Sequence, residues 1–344
     1  METRKLLPPR QEVHHHFEFT GKSGEFFRIW IVNTLLTVVT LGIYSAWAKV
    51  RTRRYFYGST WVAGSSFNYL ADPITILKGR LIGMGLLLAF TLANHFFPLV
   101  AFLLWPIILV VLPFVINKSL SFNARVSAWR NVRFKFQGTY WKTCLYFILL
   151  PVLTLLSLGL AFPWIFKKQK EYLVNHYSFG GESFKAFFVA KAFYMMYIKA
   201  IAFFFLFSVV GAIAIFLTGF AVSDAISNGV IWIFASSAYL VLFAAIMAGT
   251  ANIIYGNTAI EQYRFESRQK ASELAFIYLT NILAIIVTLG LAIPWAMIRL
   301  AQYRAESTTL LADEALDHFT DQAQEEQSAI AEEVGEVFDL AVGV

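Results

Sequence analysis

One stretch of this sequence occurs three times. Phe17 to Tyr55 carries Thr40-Leu41-Gly42-Ile43-Tyr44-Ser45-Ala46-Trp47 and then Lys49, Arg51, Arg53 and Arg54. Shifted by 117 residues without a gap it lands on Phe134 to Tyr172, where Ser157-Leu158-Gly159 precedes Pro163-Trp164 and Lys167, Lys168 and Lys170. A further shift of 131 reaches Phe265 to Tyr303, with Thr288-Leu289-Gly290, Pro294-Trp295 and Arg299. A chain built this way folds as repeated units, each completing what its neighbours leave exposed.

The repeated stretch is embedded in apolar sequence. Of 344 residues 58% are hydrophobic and 15% charged, with 34 Phe, a composition outside the soluble range. Apolar segments near 26–48, 81–97, 99–116, 143–166, 193–222, 229–255 and 274–298 are mostly long enough to cross, or nearly cross, a hydrocarbon core of about 30 Å. The fold class that follows is an all-α polytopic membrane protein, with Gly-broken repeat elements, spanning helical hairpins and small cytoplasmic β-elements. The first 25 residues are polar and resemble no cleavable leader, so the first apolar segment is expected to act as its own insertion signal. The single cysteine, Cys144, excludes an intramolecular disulfide.

Charge selects the topology. From Ala305 onward there are 11 acids and no Lys or Arg, so the body holds all 28 basic residues against the other 11 of 22 acids, a net charge of +17. If all seven segments simply span, the flanking basic residues divide 12 to 14 between the two sides, which is no bias. If each repeat copy enters and leaves on one face and only the other four segments cross, the division is 26 to 0. The second arrangement obeys the cytoplasmic excess of Lys and Arg and puts both termini in the cytoplasm; seven plain spans remain the alternative.

Gly42, Gly159 and Gly290 sit where a helix can stop in a left-handed cap. Pro163 and Pro294 suit the first turn of the next helix, and the first copy departs with Ala46. Trp47, Trp164 and Trp295 are placed as interfacial anchors. The basic run after them suggests a surface-lying helix touching lipid headgroups, the contacts being Lys49, Arg51, Arg53, Arg54, Lys167, Lys168, Lys170 and Arg299. Irregular backbone at membrane depth needs cover from protein or a wet cavity. The three glycine turns, with Asn33 and Asn281 at equivalent positions, are therefore the candidate pathway. The alternatives are an ordinary helix cap near the headgroups and plain helix–helix hydrogen bonding by the asparagines.

The organisation expected is a disordered tail (1–16), unit one (17–133), unit two (134–264), a terminal half unit (265–304) and an acidic tail (305–344). Phe17 to Gly21 and Phe134 to Gly138 alternate as short strands do, while Ser267 and Gln269 leave the third such strand in doubt. His14 to His16 lack the geometry of a metal site, and no cofactor is expected. The acidic tail either folds back on the basic face, recruits a soluble partner or stays solvated. Anionic lipid headgroups are the expected partners and nucleic acid is not.

The repeated Thr/Ser-Leu-Gly-x-x-x-Pro/Ala-Trp with its basic follow-on, preceded by Phe-x-Phe-x-Gly, resembles the bacterial YjgN family of inner-membrane proteins over about 17–304. The resemblance implies the inner membrane of a Gram-negative bacterium and brings no established activity and no catalytic residue. Two functions stay in view: a transporter or channel-like protein for a small, anionic solute, and a non-transporting organiser that binds anionic lipid or a cytoplasmic partner. No nucleophile–base pair, metal spacing or phosphate loop points to an enzyme.

Overall fold

The computed structural model describes residues 13–219 and 224–312. Its organising element is a ring of short antiparallel strands, built from tight hairpins. β3 (Thr60–Val62) and β4 (Ser65–Tyr69), β5 (Ser127–Trp129) and β6 (Val132–Phe136), and β10 (Thr258–Ile260) and β11 (Tyr263–Ser267) are each joined by two residues. So are β7 (Tyr177–Phe179) and β8 (Glu182–Ser183), which continues as β9 (Lys185–Ala186). Ala63-Gly64, Arg130-Asn131 and Gly180-Gly181 all have positive φ at both turn residues. That conformation matches the right-handed twist of the flanking strands and closes a hairpin tightly.

The ends of the chain close the ring. β1 (Val13–His16) pairs with β12 (Thr308–Ala312), Val13 opposite Ala312, while β2 (Glu18–Phe19) pairs with β3. The chain bends between β1 and β2 at Phe17, whose N–H donates to the Thr308 carbonyl at 3.1 Å. A second bend at Phe184 joins β8 to β9, with its N–H on the Tyr177 carbonyl at 3.0 Å. The two sheet segments, β2 through β8 and β9 through β12 with β1, thus share two bent strands and form one closed circuit of ten. Closure removes the free edges that would otherwise invite pairing with another chain.

Five helical hairpins rise from this ring. Three are the repeated stretch: α1 (Ser23–Val39) with α2 (Ser45–Gly58), α5 (Tyr140–Cys144) running through a π turn (Leu145–Leu149) into α6 (Leu150–Leu156) with α7 (Phe162–Asn175), and α10 (Ala271–Val287) with α11 (Ile293–Glu306). The other two are longer: α3 (Pro73–Phe96) with α4 (Pro98–Arg125), and α8 (Ala190–Gly219) with α9 (Asp224–Gly256). These long pairs supply the four helices that are long and apolar enough to cross a membrane. At 1.5 Å per residue, α1 and α10 are roughly 25 Å long and α3 roughly 36 Å.

Topology follows from the alternation of connections. Around an antiparallel ring, if every second connection is a two-residue turn, all the turns lie on one edge and all the helical hairpins on the other. Each hairpin then returns to the edge it left. β1 and β12 are neighbours in the ring, so the described chain ends lie beside each other.

Three expectations change. The class is not all-α, because the β-elements are not small separate joints but one ring linking first strand to last. Val13–His16 is a strand and not part of a disordered tail, and Thr308–Ala312 at the head of the acidic tail is a strand too. Backbone pairing between residues almost 300 apart supplies the order that local composition does not. The rest of both tails, and residues 220–223, lie outside the described residues. The third leading strand does form: Asn252 Oδ1 accepts from Ser267 Oγ and from the Gln269 N–H, both at 2.9 Å.

Candidate functional site

The repeated motif builds one turn three times. In the first copy the Leu41 N–H donates to Val38 O at 3.1 Å and the Gly42 N–H to Thr37 O at 2.7 Å, the paired bonds of a Schellman cap. The same two bonds recur at Leu158 and Gly159 and at Leu289 and Gly290. Both residues of each pair have positive φ, about 48 to 50° for the leucines and 88 to 96° for the glycines. The left-handed cap residue is therefore the leucine, one position before the glycine expected to fill it. The hydroxyls of Thr40, Ser157 and Thr288 then accept from the N–H groups of Tyr44, Ala161 and Ala292 at 2.9 to 3.0 Å, starting the return helix. The hydroxyl and the glycine of Thr/Ser-Leu-Gly thus have a backbone reason, and the leucine does not.

The arms are antiparallel. At the ring end the Tyr55 hydroxyl receives the Lys22 N–H at 2.7 Å and donates to its carbonyl at 3.0 Å. Tyr303 repeats both bonds on Lys270, and Tyr172 donates to Thr139 O. Asn33 and Asn281 tie the arms together nearer the tip, donating to the carbonyls of Ala48 and Ala296 at 3.5 and 3.2 Å. Copy two has Leu150 there. It has instead the π turn before Pro151, and Gln169 donates to the Tyr146 carbonyl at 2.9 Å, compensating for the backbone disturbance a proline brings.

The expected site residues sort unevenly. The three glycine turns lie at exposed tips, with Leu41, Leu158 and Leu289 at 94, 93 and 94% exposure. A Cβ on Gly42 or Gly159 would meet nothing within 4 Å, and the cavities lie elsewhere. Pro163 and Pro294 are buried at the starts of α7 and α11. Trp47 and Trp164 are half-buried and Trp295 is exposed. The helices after them do not lie on a surface: each returns against its partner arm to the ring. Their cations are largely used inside the protein. Arg53 donates to Tyr69 Oη and Asn123 Oδ1, and Arg54 to the carbonyls of Tyr69 and Ala71. Lys167 and Lys168 pair with Glu171 at 3.0 and 3.3 Å. Lys170 lies over the Phe166 ring, and Arg299 over Trp295 while donating to Thr280 and Asn281. Lys49 is half-buried and Arg51 is exposed, donating to Tyr44 Oη. Arg51 is the repeat equivalent of Arg299. Because it turns to Tyr44, Asn33 Oδ1 is left buried with no hydrogen-bond partner.

What the fold brings together is a chamber on the ring axis. The floor is the ring core, in which Val62, Phe179 and Leu310 occupy one repeat position, with Trp129 beside Ile260 and Val132 beside Tyr263 at two others. Above it an aromatic space of about 370 Å³ is walled by Phe17, Phe134 and Phe265, again one repeat position, and by Phe67 and Phe184. Phe134 stacks on Phe184 at 6.4 Å and Phe17 on Phe67 at 6.3 Å. Two spaces of about 450 and 490 Å³ continue it to the junction of ring and helices, where Tyr57, Ser127, Tyr177 and Tyr255 join the wall. Tyr57 and Ser127 share a hydrogen bond at 3.2 Å. Burial, and to a lesser degree the neighbouring Tyr57, pushes the Tyr177 hydroxyl above its ordinary range. A space of this size walled by rings with few hydroxyls suits an apolar body.

Sequence reasoning missed the chamber because its residues are spread from Phe17 to Thr308. The signal was present in Phe17, Phe134 and Phe265 opening each copy: equivalent residues of a closed repeat converge on its axis.

A family model described as "Bacterial protein of unknown function (DUF898)" matches residues 14–337, and the chain belongs to that family. The inner membrane protein YjgN of Salmonella typhimurium strain LT2 is 32% identical over 154 residues, 44% of this chain and 39% of that protein. The protein of the same name from Escherichia coli K12 is 33% identical over 153 residues, 43% of this chain and 37% of its own length. The match therefore spans about two fifths of these relatives. No solved structure matches the chain.

Proposed function

We propose that this is a multi-pass inner-membrane protein that binds, and moves between membrane and cytoplasm, a small apolar or amphiphilic molecule held in the axial chamber. The observation that carries this reading is the chamber itself, three adjoining aromatic spaces that share Phe134 and Tyr255 in their walls where the helices meet the strand ring. Its lining favours an apolar body over the small anionic solute that the basic composition suggested. The strand ring is the cytoplasmic end in this reading: the 26-to-0 division of flanking cations and the return of every hairpin to one edge both support it. The glycine hairpins, shorter than the long pairs and apolar at their tips, then dip into the membrane from the cytoplasmic side and come back.

A second reading, an organiser of lipid without transport, draws on the three exposed leucine tips and on Arg51. It uses the same membrane placement and needs no chamber.

Binding of an uncharged naphthylamine fluorophore to the detergent-purified protein separates the two. Ser127→Trp fills the chamber from its wall and is expected to weaken binding at least about tenfold, equivalent to roughly 1.4 kcal/mol. Ser127→Leu guards against misfolding and is expected to weaken it less. Unchanged affinity in both folded variants would remove the chamber as the site.

A further inference from the structure

Among the described residues the third glycine hairpin meets the first directly, and their junction borders the chamber. Around the ring, α3 and α4 stand between the first and second glycine hairpins, and α8 and α9 between the second and third. Among the described residues nothing comparable stands between the third and the first, where α11 packs directly on α1 and on β2. Among the described residues that sector is walled by the short hairpins alone, so lipid has its shortest path to the axis there.

One of the chamber's three spaces lies behind this seam. It is lined from one side by Phe56, Tyr57 and Thr60 and from the other by Ala301, Arg304 and Thr308. Phe56 and Arg304 occupy the same repeat position, which is Leu173 in the second copy. Arg304 is the one charged residue lining the described chamber. It is exposed, and among the described residues its hydrogen-bond acceptor is the neutral Tyr278 hydroxyl at 3.5 Å, with no carboxylate paired to it. The repeat thus replaces an apolar side chain by a guanidinium only at the seam, beside the aromatic space. A guanidinium fork binds phosphate or carboxylate oxygens through two parallel N–H bonds.

We propose that the α1–α11 seam is the lateral door of the chamber, and that it admits an anionic amphiphile from the bilayer, with its headgroup on Arg304 and its hydrocarbon among Phe17, Phe67 and Phe134. This rests on the reading of the chamber as the binding site and adds the ligand's charge and its route. The arrangement divides the labour by position: aromatic rings on the axis accept any apolar chain, and the one cation at the seam selects the head.

The test is lipid retention by the full chain, reconstituted with equal amounts of dioleoyl phosphatidylglycerol and dioleoyl phosphatidylcholine and read by native mass spectrometry after extraction. The wild-type protein is expected to retain phosphatidylglycerol in preference. Arg304→Gln should lower that preference about tenfold while leaving retained phosphatidylcholine in place, and Arg304→Lys should keep most of it. Ala301→Trp, which narrows the seam without touching charge, should slow exchange of the retained lipid. An unchanged lipid ratio in Arg304→Gln, together with unchanged exchange in Ala301→Trp, overturns the seam proposal. If Ser127→Leu in the same experiment lowers retention of both lipids, the chamber reading survives that failure; if it lowers neither, the chamber reading falls with it.

Discussion

The glycine tips and the axial chamber are made from the same repeat and differ in what the repeat preserves. At the tips Thr/Ser, Leu and Gly recur with the same hydrogen bonds and nearly the same φ, yet the leucine side chains touch almost nothing. In the chamber some side chains recur, as at Phe17, Phe134 and Phe265, and others do not: Tyr57, Val174 and Ala305 share one position, and Phe56, Leu173 and Arg304 another. The tips repeat because a backbone requirement is the same wherever the chain reverses. Where the chamber diverges, each copy turns a different side chain toward one shared space.

That contrast can be broken most decisively at the core. Trp129 is buried at the chamber floor, where its indole N–H reaches Ser65 O at 3.3 Å and Arg130 lies over its ring. Trp129→Ala is expected to cost about 3 to 5 kcal/mol, the range for emptying a packed aromatic site. Thermal unfolding in detergent measures it, and a loss no greater than that of a tip variant would show that the ring core does not hold the fold.

The tips predict a smaller and uniform effect. Gly42→Ala, Gly159→Ala and Gly290→Ala each force a side chain into a left-handed backbone with no neighbour to strike, so each should cost about 1 to 2 kcal/mol. Unequal losses in the same unfolding assay would mean the three turns are not equivalent. The smallest effect has the opposite sign. Leu41 holds a left-handed backbone at φ 48°, and Leu41→Gly relieves that strain, which should stabilise the detergent-solubilised protein by less than about 1 kcal/mol. A destabilised Leu41→Gly in detergent would place the leucine in a protein contact that its 94% exposure does not reveal.

Much of the helical plan was legible residue by residue. The segments read at 81–97, 99–116 and 229–255, and the described part of 193–222, fall within the two long hairpins, with the first reversal at Pro98. The hydroxyl, leucine and glycine of the repeat marked its turns, although the left-handed role falls to the leucine. Asn33 and Asn281 are helix-to-helix ties, and Arg53 and Arg54 donate to protein acceptors at the ring end. Those protein partners were not legible because a basic run looks the same on paper whether its partners are lipid phosphates or carbonyls 15 residues away. Strands of two to five residues carry little periodicity, so neither the ring nor the chamber could be read from any one of them.

By itself the sequence determined the unit: a short apolar helix, a hydroxyl–leucine–glycine reversal and a return, used three times, because these rest on local backbone bonds. Only the tertiary structure decided that Val13 would meet Ala312 and that Phe17, Phe134 and Phe265 would face one another. Pairing across a whole chain is selected by the closing of all the strands together, and no single segment carries that information.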